Sequence, residues 1–176
     1  VSRVVRLAAF HGVDDPFYRA HYGARILSVD APYFRGSAIP PKATAIFFEA
    51  DEYLTHQQPL SIEGAQYLEI GSGKLNEGLI WLPHQGGTLI TGDSFQNWPT
   101  TDSYFNWASK LLMPKLGFIK AHNIGKVWFD TIKPDIHELK QCFDKGVEVL
   151  IPSHGNVVEH SASQYYLPRL SELLGL

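Results

Sequence analysis

Three apolar segments that each run out into a His or an Asp constrain this chain more than any other feature. Val4-Val-Arg-Leu-Ala-Ala-Phe10 leads into His11 and then Asp14 and Asp15. Gly87-Thr-Leu-Ile-Thr-Gly-Asp93 reads as a strand that ends at a glycine and presents Asp93. Val147-Glu-Val-Leu-Ile-Pro152 delivers His154 in Pro-Ser-His-Gly. Short apolar runs bounded by turn residues mark buried strands. Strands that carry such residues at their ends gather them along one sheet edge, where a metal or catalytic site forms. Asp93 is the hardest of these to read as ordinary surface. A carboxylate just beyond a buried strand is costly unless paired or bound.

The order of the remaining elements follows from turn and cap residues. Pro16 suits the first turn of a helix, since its missing N–H has no partner there anyway. Asp15 is placed to cap that helix, and Gly23 to end it. A second strand follows at 25–29, so the chain opens as strand, loop, helix, strand with the strands parallel. The proline-rich stretch 30–42 reads as loop and 43–49 as a strand. Short strands at 60–62 and 65–70 flank Glu63-Gly64, and a glycine-rich loop covers 71–78. The strands 79–82 and 88–91 form a hairpin across Pro83-His-Gln-Gly-Gly87. Helices are expected at 103–113, 134–143 and 161–174, the last with Pro168 inside it. No repeat, linker or low-complexity tract divides the chain, so 1–176 reads as a single domain.

Composition narrows the function classes. At 176 residues with 44% hydrophobic and 12% aromatic content, the chain can bury a substantial core. A net charge of −3 speaks against a nucleic-acid partner, which needs a basic face. The single Cys142 excludes an internal disulfide and a cysteine zinc cluster, and fits a cytoplasmic location. No apolar run approaches the ~20 residues of a membrane span. Val1 already lies inside a strand pattern, which suggests that residues ahead of it are missing. A first sheet lacking strands there needs cover for its edge, for which a second copy of the chain is one candidate.

This order of pieces resembles the metallo-β-lactamase fold, an α/β (α+β) sandwich of αββα layers. The resemblance rests on three places. The superfamily's His-x-His-x-Asp-His motif matches His11-Gly-Val13-Asp-Asp15-Pro16, with the first His and the Asp kept and the others replaced by Val13 and Pro16. Its strand-end Thr-Gly-Asp matches Thr91-Gly-Asp93, and its last His-Gly matches His154-Gly155. The His of its Gly-His loop corresponds to Ser72 in Gly71-Ser72. The resemblance therefore implies at most one metal site, with His11, Asp15, Asp93 and His154 as ligands and His11 and Asp93 as catalytic residues. Two carboxylates and one or two imidazoles suit zinc, iron or manganese.

Each candidate also has a plainer role. Asp15 can cap a helix, His11 can bond to backbone in its loop, and Asp93 with His154 can form a hydrogen bond without any ion. Ser72 reads as a turn residue in the place of a lost ligand. Gln96-Asn-Trp98 follows Asp93 and overhangs the site, where Trp98 either covers a ligand or packs. Lys110, Lys115 and Lys120 with His122 form either an anion patch or a solvated face. Two functions remain: a hydrolase with a reduced, mononuclear metal site acting on a small molecule, and a non-catalytic relative that binds a ligand or partner. The second reading needs no ion.

Overall fold

The computed structural model describes residues 1–11, 14–31 and 49–175. The strand expected at 43–49 lies, save its last residue, outside the described residues, and so do Val13 and most of the loop at 30–42. No helix among the described residues is long and apolar enough to cross a membrane.

Two sheets form the centre. The first contains β1 (Arg3–Arg6), β2 (Arg25–Val29) and β3 (Glu52–Leu54), in that order and all parallel. Helix α1 (Asp15–Tyr22) makes the crossover from β1 to β2. Gly23 closes it in the left-handed conformation at φ 61°, and its N–H bonds to the Arg19 carbonyl. The cap position belongs to Asp14 rather than Asp15, and no side chain bonds the helix end there. Asp15 is the first helical residue and is buried.

The second sheet has four strands in the order β4 (Gln66–Ile70), β5 (Glu77–Leu82), β6 (Thr88–Thr91) and β9 (Val149–Ile151). The first three are antiparallel, and β9 joins β6 in parallel. The expected hairpin turn is a 3-10 turn at His84–Gly86. The strand expected at 60–62 does not form. Instead, Leu60 donates its N–H to the Ala65 carbonyl in a turn, and Pro59 makes an isolated bridge to Gln66. A small third ladder pairs β7 (Phe95–Gln96) with β8 (Asn123–Ile124).

Strand alternation decides what each face buries. On β4, Leu68 and Ile70 face a core shared with the helices, while Tyr67 faces the first sheet. The helical side includes α3 (Lys126–Ile132), α4 (Ile136–Gln141) and α5 (Ala162–Leu173), which contribute Trp128, Leu139, Tyr166 and Leu170 to the core. α2 (Trp107–Lys115) begins at Asn106, whose side chain accepts the Ser109 N–H. Between the sheets, Tyr67 packs with Leu27, Val29 and Leu54. Gly78 is required opposite Tyr67, because a Cβ there would lie 2.4 Å from the ring. Its N–H donates to the Leu7 carbonyl at 2.7 Å and ties the second sheet to the segment leaving β1.

The tie between α5 and β7 is testable. Tyr166 is fully buried and its hydroxyl donates to the Gln96 carbonyl at 2.8 Å. Tyr166→Phe leaves that carbonyl without its partner and is expected to cost ~1–2 kcal/mol in urea denaturation. An unchanged midpoint would contradict this assignment.

Candidate metal centre

Sheet register brings two of the site residues together. β6 and β9 are parallel neighbours with Ile90 opposite Ile151. Asp93 lies three residues beyond Ile90 (93 − 90) and His154 three beyond Ile151 (154 − 151), so the two emerge side by side. The Ser153 hydroxyl donates to the Gly92 carbonyl at 2.5 Å and pins the two strand ends. His11 arrives from the other sheet, at the end of the segment that Gly78 holds.

The three side chains meet at one oxygen. His11 Nε2 lies 3.0 Å and His154 Nε2 2.9 Å from Asp93 Oδ1. The three donor atoms lie within 4.8 Å of one another. Asp93 is buried, with 6% of its surface exposed, whereas His11 is half-exposed at its side chain. Burial by itself would raise the Asp93 carboxyl. The hydrogen bonds from both imidazoles outweigh it and hold the group at about 2. The same bond to Asp93 raises His11 against the opposing effect of burial. Asp93 Oδ2 is buried without a protein hydrogen-bond partner. An orphaned carboxylate oxygen beside two imidazoles is a donor set that suits a divalent ion.

Asp15 is not brought into this group. Its carboxylate faces the buried Arg6 guanidinium at 3.9 Å, on the inner side of α1. Burial raises it to about 6, with Arg6 opposing. Ser72 is also turned away. Its N–H and hydroxyl donate to Glu138, and its hydroxyl accepts the Asp135 N–H at 2.8 Å, which fastens the glycine-rich loop to the start of α4.

Glu77 carries a role that the sequence reading did not assign. It is fully buried and accepts the N–H groups of Asp93 at 3.0 Å and Ser94 at 2.8 Å, fixing the turn that presents Asp93. Burial first, and then the Asp93 charge, push it up to about 8. An acid opening an otherwise apolar strand, Glu-Gly-Leu-Ile-Trp-Leu, was the available signal.

The segment after Asp93 folds over the site. Asn97 donates its N–H to the His154 carbonyl at 3.1 Å, and Asn156 donates to the Asn97 carbonyl at 2.7 Å. Gly155 permits this approach at φ 97°, because a Cβ would lie 2.0 Å from the Asn97 carbonyl. Trp98 then stacks on His154, with ring centres 5.9 Å apart and 18° between planes. A cleft of about 290 Å³ opens over the three residues, lined also by Phe10, Gln96, Phe118 and Trp128. Lys110, Lys115 and Lys120, read as either an anion patch or a solvated face, do not line it, and His122 stacks on Tyr165 at 4.1 Å.

Solved structures similar to this chain include metallo-β-lactamases. The metallo-beta-lactamase from Hirschia baltica is similar over 97% of this chain and 68% of its own, at 17% identity and a TM-score of 0.52. FIM-1 from Pseudomonas aeruginosa, in a mono-zinc form, is similar over 98% and 67%, at 15% identity and a TM-score of 0.54. No family model matches the chain, and no curated protein does. The chain has the metallo-β-lactamase fold.

The titrating groups set a pH signature for the protein without metal. Asp15, Glu77 and His11 all bind protons more tightly folded than unfolded. Stability therefore falls as pH rises through the interval between each group's unfolded and folded values. With chelator present, the urea midpoint is expected to drop between pH ~5 and ~8, and the slope to lessen in Glu77→Gln. A midpoint that climbs over that range would contradict these environments.

Proposed function

We propose that the chain is a hydrolase dependent on one divalent ion, held by His11, Asp93 and His154. The observation that carries this reading is the convergence of three donor atoms around a carboxylate whose second oxygen is buried without a partner. Three protein ligands with an open position is the arrangement of catalytic rather than structural zinc. The fold is shared with a metallo-beta-lactamase solved in a mono-zinc form, which favours zinc over iron or manganese. Asp15 is left out of the ligand set, because it does not join the three converging donors and faces Arg6 at 3.9 Å.

A bound ion supplies Lewis acidity and a water that ionises near neutral pH. The residues of the chain do the rest. Asp93 holds both imidazoles by their Nε2 atoms, Glu77 fixes the Asp93 turn, and Trp98 stacks on His154; His11, Asp93 and His154 would hold the ion. The reaction adds water across an acyl bond: the carbonyl carbon gains the oxygen, the bond to the leaving group breaks, and the leaving group takes up a proton. The partner is a small molecule rather than nucleic acid, in keeping with a net charge of −3. The single, buried Cys142 supports a reducing, cytoplasmic setting.

One observation favours the non-catalytic alternative. Asp93 Oδ1 already bonds both imidazoles, so the two histidines are held in place without an ion. Metal analysis of protein purified without chelator separates the two. The hydrolase reading expects ~1 equivalent of zinc, iron or manganese, lost in Asp93→Ala and in His154→Ala, and a thermal shift on adding the ion back. Less than about a tenth of an equivalent, with no shift, would leave the non-catalytic reading standing.

A further inference from the structure

The walls of the cleft differ in kind from its floor. His11, Asp93 and His154 lie together at the base. Phe10, Trp98, Phe118, Val127 and Trp128 surround them, and Gln96 adds a side-chain amide. No Lys or Arg lines the cleft among the described residues. The lysines nearest in sequence are engaged or placed elsewhere: Lys126 pairs with Asp130 at 2.9 Å, and Lys120 lines a different hollow beside Arg169.

We propose that the cleft selects an uncharged, apolar group of about one aromatic ring, attached to the carbonyl that is hydrolysed. The hydrolysed carbonyl rests on the hydrolase reading above; the preference for a neutral ring rests on the walls alone. A charged group away from the base would lose hydration and find no counter-charge among the described residues, which is the costly case for burial. Aromatic walls reward a flat apolar group through area and through edge or stacked ring contacts. Trp98 already presents such geometry, with its ring edge-on to Phe105 at 5.0 Å and stacked on His154. The volume of about 290 Å³ is at the small end of ligand sites, which run roughly 300–1,000 Å³, so one ring and a short linker fill it.

The test uses the full chain kept metal-free with chelator at pH ~8, so that the ion does not enter the comparison. N-benzylacetamide and benzyl phosphate are titrated in parallel by ligand-observed NMR. The neutral probe is expected to bind at least ~5-fold more tightly, and Trp98→Ala to weaken it by a similar factor. Val127→Lys, which puts a cation on the wall at a position 43% exposed, is expected to shift the preference toward benzyl phosphate. Equal binding, tighter binding of the phosphate to the unaltered protein, or binding of neither probe would overturn the proposal. These outcomes are separate from the fate of the hydrolase reading. A protein that takes up metal but shows no preference for the neutral probe loses only this inference. A protein that shows the preference but takes up no metal loses only the hydrolase.

Discussion

The parallel pairing of β6 with β9 is the interaction on which the site depends. It sets two chain segments, about sixty residues apart in sequence, in a register where equal overhangs end at Asp93 and at His154. A slip of one residue would point one of the two side chains to the opposite face of the sheet. The Ser153 bond to Gly92 fixes that register at the strand ends, where fraying would otherwise begin. The antiparallel β4–β5–β6 unit then supplies a rigid base, with Leu89 and Leu150 buried beneath it.

Holding a carboxylate at such a point requires compensation, and the structure distributes it over three levels. The charge of Asp93 is met by two imidazoles at one oxygen. Its peptide N–H is met by Glu77, which sits entirely out of water. Its carbonyl receives the Gln96 side chain at 3.3 Å, and Gly125 passes so near that a Cβ would lie 2.0 Å away. Burial and then repulsion from the Asp93 charge drive Glu77 up, while the bonds from the two imidazoles hold Asp93 down. The remaining unsatisfied oxygen of Asp93 is where a cation would relieve that repulsion.

Much of this was legible in the sequence, for particular reasons. The strand at 25–29, the hairpin after 79 and the cap at Gly23 were readable because periodicity and turn residues act locally. The overhanging Asp93 and His154 stood out because polar residues rarely follow buried strands without a role. The direction of Asp15 was not legible, since its spacing from His11 does not reveal which way a carboxylate turns; in the fold it faces Arg6 at 3.9 Å. Glu77 was hidden by its position at the edge of a glycine-rich loop. The strands β3, β7 and β8, at two or three residues each, are too short to carry a period. Trp98 was expected over the site from its place after Asp93, but the other walls were beyond reach, because Phe10, Phe118 and Trp128 come from separate segments whose meeting is tertiary.

Anomalous diffraction at the zinc absorption edge, from crystals grown with zinc, locates any ion the protein holds. The expected map has a single strong peak bounded by His11, Asp93 and His154, with no contribution from Asp15. A map that is flat between those three side chains, or one whose peak lies against other residues, would contradict that ligand set.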